Sequence, residues 1–149
     1  MLNPDFRDIL SAFIEAGVEF LVVGGYAMAA HRLPRATKDL DLWVRPSEEN
    51  ATRVLKALDQ FGAPRHGLTQ ADLAVEGTIY QVGVPPNRVD VITLVEGVHF
   101  ENAWQARSEL DIDGLRIPVI GKTHLIANKR TVRRPQDLLD ADLLESSPE

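Results

Sequence analysis

Residues 20–44 constrain the fold more than any other stretch of the chain. Their sequence, FLVVGGYAMAAHRLPRATKDLDLWV, predicts a buried strand, a glycine pair, a short helix, a basic loop and a second strand. The second strand carries Asp39 and Asp41 with Leu40 between them. Alternate side chains of a strand leave the same face about 6–7 Å apart. The two carboxylates can therefore converge on one cation cluster, while Leu40 points into the core.

The glycine pair, Gly24 and Gly25, stands where the first strand gives way to the helix. Glycines permit a tight turn there and let backbone N–H groups approach a phosphate at the helix N-terminus. A glycine pair on its own more often forms a simple turn. Pro34 disfavours continued helix, so residues 34–38 are expected to form a loop that brings Thr37 and Lys38 beside the aspartates. Together these residues indicate a phosphate-binding turn that faces a carboxylate pair.

A third aspartate, Asp90, lies in a later strand with the sequence RVDVI. Residues 78–84 and 88–95 are expected to form a hairpin joined by the Pro-Pro-Asn sequence at 85–87. Val89 and Val91 face the opposite way from Asp90 because side chains alternate along a strand. Asp90 can share a face with the earlier aspartates if the two strands are neighbours.

One arrangement of residues resembles the signature of the nucleotidyltransferase superfamily related to DNA polymerase beta. It consists of a hydrophobic residue, Gly24, Gly25, a gap of thirteen residues and then Asp39-Leu40-Asp41-Leu42. Within this superfamily, the chain resembles most the small bacterial and archaeal nucleotidyltransferases grouped with AbiEii-type toxins. It resembles the lincosamide and aminoglycoside nucleotidyltransferases less closely. The resemblance implies an α/β (α+β) nucleotidyltransferase fold, with a small mixed sheet and helices packed largely on one face.

The resemblance also implies an activity. Such enzymes move a nucleoside monophosphate from a nucleoside triphosphate, ATP among them, to an acceptor hydroxyl and release pyrophosphate. Two divalent ions, Mg²⁺ or Mn²⁺, stabilise the charge on the attacking and leaving oxygens. The metal-binding and catalytic residues are expected to be Asp39, Asp41 and Asp90. The nucleotide-binding residues are expected to be Gly24, Gly25, Thr37, Lys38 and Lys129.

The C-terminal segment provides a second, less specific match. This segment resembles the tail of AbiEii-like enzymes, in which a helical lysine reaches the triphosphate. The residues that carry the resemblance are, in order, Lys122, Leu125, Asn128, Lys129, Arg133, Asp137 and Asp140. Lys129 is expected to contact the triphosphate, and Lys122 is the second candidate for this contact. Asp137 and Asp140 lie one turn apart and can orient Lys129 or Arg133 by ion pairing. A surface ladder of ion pairs is the alternative interpretation.

The remaining segments predict ordinary secondary structure. Helical periodicity, capping residues and turn signals support these assignments. We expect one helix that begins at Pro4 and stops at Ala16-Gly17, and another that begins after Ser47 and ends at about residue 61. Further helices are expected at 69–73, 100–108, 122–132 and 135–144. A hairpin is expected at 110–119, with its turn at Asp113-Gly114.

Length and composition limit the possible classes of protein. With 149 residues, the chain is expected to form one domain spanning 1–149. A net charge of −6 argues against broad electrostatic docking onto a nucleic-acid backbone. The chain has zero cysteines, lacks a run of membrane-spanning length and does not begin with a secretory signal. We therefore expect a cytoplasmic protein with no membrane contact.

The acceptor is left open by the residues. A transfer RNA end, a protein hydroxyl and a small antibiotic are all compatible, and the resemblance to toxin-type members favours RNA or protein. A toxin–antitoxin role and a partner protein follow from the same resemblance. The alternative is a catalytically silent module of the same fold that binds a nucleotide or a protein partner.

Overall fold

The computed structural model describes residues 2–33 and 39–148. Within them, helices and strands are interspersed along the chain and the strands form one mixed sheet. The helices are α1 (Pro4–Glu15), α2 (Gly24–Ala30), α3 (Glu48–Phe61), α4 (Gln70–Leu73), α5 (Phe100–Gln105), α6 (Lys122–Val132) and α7 (Pro135–Ser146). The strands are β1 (Phe20–Val23), β2 (Asp39–Val44), β3 (Ile79–Val82), β4 (Arg88–Ile92), β5 (Ser108–Ile112) and β6 (Leu115–Val119).

The sheet has six strands in the order β3-β4-β2-β1-β6-β5. The central strand β1 runs antiparallel to β2 and parallel to β6, and β2 runs parallel to β4. The predicted hairpins are confirmed as the antiparallel pairs β3–β4 and β5–β6. The end of β1, the start of β2 and the end of β6 consequently lie at the same end of the sheet.

The helix starts follow the capping residues of the sequence. The Asn3 side chain accepts a hydrogen bond from the Phe6 N–H at 2.9 Å, and Pro4 occupies the first helical position. Ser47 caps α3 in the same way through the Asn50 N–H at 3.2 Å. These local interactions explain why both helix starts could be predicted from the sequence.

The core forms where α1 and α3 cover the sheet. The helices bury Phe6, Phe13 and Leu58, and β1 buries Phe20 against Phe13. Trp43 lies on the other face of the sheet, where it is buried against Phe100 of α5. Each large apolar side chain that is fully buried contributes on the order of 1.5–3 kcal/mol. The apolar side chains of β2 predicted to face the core, those of residues 40, 42 and 44, are all buried. The aspartates that alternate with them are left on the open side.

Two local predictions can be compared with the observed bounds. Asp113 and Gly114 have φ angles of 52° and 82°, which matches the predicted two-residue turn. The predicted helix at 100–108 is too long, because α5 ends at Gln105 and Ser108 already pairs with Val119 in the sheet. In the described part of the chain, even the longest helices lack the apolar stretch that a bilayer crossing requires.

Candidate active site

The three predicted carboxylates are brought together by the pairing of β2 with β4. Asp41 is the direct partner of Asp90, and Asp39 is the partner of Arg88. Neighbouring strands lie about 4.8 Å apart, and alternate side chains share a face. The three carboxylates therefore occupy one small patch of the sheet. They are partly buried, since the side chain of Asp90 is 13% exposed and that of Asp39 is 32% exposed.

The glycine turn closes this patch on the side of β1. Val23, the last residue of β1, pairs with Asp41, and Gly24 follows with a φ of 70°. A Cβ atom on Gly24 would lie 2.1 Å from Oδ2 of Asp41, which is far inside contact distance. Only glycine satisfies both the positive φ and the close approach. Gly25 is the next residue of α2.

Arg88 is the site residue that the sequence prediction missed. Its guanidinium lies 2.9 Å from the Asp39 carboxylate and 3.1 Å from the Asp90 carboxylate. The signal was present, since Arg88 stands two residues before Asp90 and so shares its face of the strand. Its positive charge bridges two of the three carboxylates.

The third carboxylate, Asp41, is electrostatically strained. Burial, followed by the negative charges of Asp90 and Asp39, raises the pKa of Asp41 to about 7. A hydrogen bond with Asp90 acts in the same direction, and the charge of Arg88 opposes the shift. Near neutral pH, the cluster therefore carries more negative charge than Arg88 balances, and an added cation would relieve the strain.

The donor set is suited to a hard cation. Its ligands are carboxylate oxygens, the type that Mg²⁺ and Mn²⁺ prefer. Within residues 2–33 and 39–148, no three histidine, aspartate or glutamate side chains, these aspartates included, are arranged so that together they could hold a metal ion. Mg²⁺ usually takes one or two carboxylates and completes its coordination with water and substrate phosphate. An open cluster of carboxylates fits that mode of binding.

The other predicted nucleotide-binding residues are Thr37, Lys38 and Lys129. Thr37 and Lys38 lie outside the described residues. Lys129 lies on α6, with its Nζ atom 3.1 Å from Asp140 and 3.6 Å from Asp137, both on α7. The predicted ion pairing of Lys129 is confirmed, and its contact with a triphosphate stays a prediction.

The surface-ladder interpretation of this C-terminal cluster is wrong. Asp137 and Asp140 are each only 3% exposed, and the Lys129 side chain is 11% exposed. The Arg134 side chain hydrogen-bonds to Asp137 and lowers the pKa of that carboxyl. Lys122, the second candidate for the triphosphate contact, begins α6 and donates a hydrogen bond to the Ser147 carbonyl. The pairs of Lys129 with Asp137 and Asp140 therefore join α6 to α7 in a buried contact.

Comparisons with known proteins bear on the fold. No family model matches the sequence, and no curated protein sequence matches it. A candidate nucleotidyltransferase from Thermotoga maritima has a similar structure, with a TM-score of 0.65 and 15% identity over 97% of this chain and 93% of that one. The lincosamide antibiotic adenylyltransferase LnuA, solved with lincomycin, has a TM-score of 0.62 and 16% identity over 98% of both chains.

A third similar structure is that of the antibiotic-resistance factor ANT(2″)-Ia. Its TM-score is 0.59 at 15% identity, over 94% of this chain and 80% of that one. At such identities the likeness concerns the fold, and the proposed relation to AbiEii-type proteins stays a prediction. The similar architecture extends over nearly the whole chain in all three comparisons. This protein has the nucleotidyltransferase fold.

Proposed function

We propose that the protein is a metal-dependent nucleotidyltransferase that moves a nucleoside monophosphate from a nucleoside triphosphate to an acceptor hydroxyl. The observation that carries the proposal is the register of β2 and β4, in which Asp41 lies directly beside Asp90. Asp39 shares the same face, and the Gly24 backbone packs against Asp41. The likeness of the fold to adenylyltransferases of antibiotics supports the same reaction class.

The reaction places negative charge on the attacking, non-bridging and leaving oxygens together. Mg²⁺ or Mn²⁺, held by Asp39, Asp41 and Asp90, would supply positive charge to offset it. The raised pKa of Asp41 supports this assignment, because a carboxylate held among like charges gains most from a nearby cation. Arg88 would keep the carboxylates of Asp39 and Asp90 oriented.

The transfer step balances as an in-line displacement. The acceptor oxygen forms a bond to the α-phosphorus, and the bond from the α-phosphorus to the oxygen bridging to the β-phosphorus breaks. Pyrophosphate leaves with the electrons of that bond, and the proton of the acceptor hydroxyl passes to a carboxylate of the cluster. We assign this proton to Asp90, which lies directly beside Asp41 in the register of β2 and β4.

Experiments can identify which nucleoside triphosphate is the donor and which class of molecule is the acceptor. LnuA is named as an adenylyltransferase, and ANT(2″)-Ia was solved with adenylyl-2″-tobramycin, so ATP is the first donor to test. Acceptors should include hydroxyl-bearing antibiotics, transfer RNA and the proteins of a cell extract. The last two test the toxin–antitoxin prediction and the need for a partner protein.

The decisive experiment measures label transfer from each α-labelled triphosphate in the presence of Mg²⁺ or Mn²⁺. We expect a labelled acceptor and released pyrophosphate with the wild type, and a loss of about 10²-fold or more with Asp41→Asn. Asp8→Asn, which removes a carboxylate from the exposed face of α1, is the matched control and should keep full activity. Equal labelling by Asp41→Asn and wild type would refute the proposal. Binding of metal and nucleotide without any transfer would identify the silent module instead.

A further inference from the structure

A concave site lies at the same end of the sheet as the carboxylate cluster. A cavity of about 310 Å³ opens between the end of α2, the start of α6 and the start of β5. We call it the α2–α6 cavity. Its polar lining residues are His31, Arg32, Ser108, Lys122, Thr123 and His124.

The charge of the α2–α6 cavity is opposite to that of the protein. Two of its side chains, Arg32 and Lys122, are cationic, and Lys122 also donates a hydrogen bond to the Ser147 carbonyl, whereas none of the described lining residues is acidic. The whole chain has a net charge of −6. Arg32 is exposed and forms no ion pair with any described residue. The cavity therefore concentrates positive charge on an acidic protein, which favours an anionic ligand.

The start of α6 adds backbone donors to this charge. A Cβ atom on Gly121 would lie 2.6 Å from the Ala106 carbonyl oxygen, so the close packing there requires glycine. Within the described residues, Gly121 consequently offers α6 no side-chain cap. The first N–H groups of a helix have no partner inside the helix, and its dipole places positive charge at the same point. These groups belong to residues that line the cavity.

A side-chain atom in the wall also lacks a partner. Nδ1 of His124 is buried and makes no hydrogen bond within the described residues. A buried polar atom without a partner costs on the order of 1–3 kcal/mol, and a bound water or ion is one of the ways in which native proteins satisfy such an atom. The opposite wall is fixed, because Nε2 of His31 lies 2.8 Å from the Ile120 carbonyl oxygen. The cavity thus combines a fixed wall with an unsatisfied polar atom.

The position of the α2–α6 cavity links it to the carboxylate cluster. Val22 of β1 pairs with Val119 of β6, and these two strands are neighbours. Gly24 comes two residues after Val22, and Gly121 comes two residues after Val119. Both turns therefore leave the same end of the sheet. The length of α2, about 10 Å at 1.5 Å per residue, separates Gly24 from the cavity mouth at Arg32.

We propose that the α2–α6 cavity binds a phosphate group. Phosphate has several acceptor oxygens and up to two negative charges, which match the side-chain and backbone donors of this cavity. The phosphate belongs either to the donor nucleotide or to the acceptor, and the two sources are separable. This site stands without the proposed transfer reaction, since it uses none of the carboxylates.

The test is calorimetric titration of the full chain with inorganic pyrophosphate in EDTA, which removes metal-mediated binding at the aspartates. Thr123→Glu places a carboxylate in the first turn of α6, where the helix dipole favours it, so the fold should be preserved. Arg32→Gln removes the cation at the mouth. Lys56→Gln, on the exposed face of α3, makes the same change in net charge away from the cavity.

We expect the wild type and Lys56→Gln to bind pyrophosphate equally. Thr123→Glu should bind about tenfold more weakly, because it brings a like charge to within a few ångströms of the anion. Arg32→Gln should weaken binding by a smaller factor. Absence of binding by the wild type, or equal affinities across all the variants, would overturn the proposal. Asp41→Asn should bind normally in EDTA, so failure of the transfer reaction leaves this result unaffected.

Titration with ATP and Mg²⁺ then identifies the source of the phosphate. If the cavity holds the triphosphate of the donor, pyrophosphate competes with ATP and Thr123→Glu weakens both. If it holds a phosphate of the acceptor, ATP and pyrophosphate bind together and Thr123→Glu leaves the ATP affinity unchanged. Either pattern supports the site and assigns its ligand.

Discussion

Replacing Asp41 by asparagine should stabilise the folded protein at neutral and alkaline pH. The pKa of this carboxyl is raised from 3.8 to about 7 in the folded state, first by burial and then by Asp90 and Asp39. The folded state therefore binds the proton more tightly than the unfolded state does. Consequently the free energy of unfolding falls as pH rises from about 4 to about 7, and the loss is complete above that range.

The size of the effect follows from the pKa difference. A difference of about 3 pH units at 1.36 kcal/mol each gives about 4 kcal/mol. Asp41 is partly exposed, so solvent screening lowers this value. We expect Asp41→Asn to gain about 2 kcal/mol in unfolding free energy at about pH 8, and most of that gain to vanish near pH 4.5.

Urea denaturation of both proteins at the two pH values measures this difference. Added Mg²⁺ should stabilise the wild type at pH 8 more than it stabilises Asp41→Asn, because a ligand that binds only the folded state raises the unfolding free energy. Asp8→Asn should change stability little at either pH. If Asp41→Asn were less stable than wild type at pH 8, or if its effect did not depend on pH, the electrostatic account of the cluster would be wrong.

Three further substitutions test the contacts around the site. Gly24→Ala should destabilise the fold by more than Gly62→Ala does, and it should weaken Mn²⁺ binding. Both positions have a positive φ, but only an alanine at position 24 would contact a carboxylate. Equal losses of unfolding free energy in the two variants would contradict this. Arg88→Gln should lower the unfolding free energy by about 1–2 kcal/mol in EDTA and by less in Mg²⁺, which urea denaturation can compare. Lys129→Met should cost about 3 kcal/mol by leaving buried carboxylates unbalanced, and adding Asp140→Leu should restore much of the loss. An unchanged ATP affinity in that double variant would exclude the predicted contact of Lys129 with the triphosphate.

Local signals in the sequence were sufficient for the elements and for the candidate carboxylates. Asn3 and Ser47 cap helices because their side chains bond to backbone groups three residues away. The alternation of Asp39 and Asp41 with leucines assigned the aspartates to the open face of a strand. The end of α5 was misplaced, because Ser108 already begins the hairpin in which β5 pairs with β6, so the chain leaves the helix before it.

Other features depend on contacts between segments far apart in sequence. Arg88 lies beside Asp39 only because β2 and β4 are adjacent and parallel, and no local pattern fixes that register. The burial of Asp137 and Asp140 likewise required α7 to pack on α6. The basic α2–α6 cavity escaped the sequence prediction because its walls come from the end of one helix, the start of another and a strand edge.

The sequence by itself determined which side chains face the open side of each strand, because alternation along a strand is a local property of the backbone. It therefore supplied Asp39, Asp41 and Asp90 as candidates, and the glycine pair between a strand and a helix supplied Gly24. The tertiary structure decided that these residues meet, that Arg88 bridges two of the carboxylates, and that Asp41 has a raised pKa. Charge interaction and burial depend on distances between strands, and those distances are set when the sheet assembles.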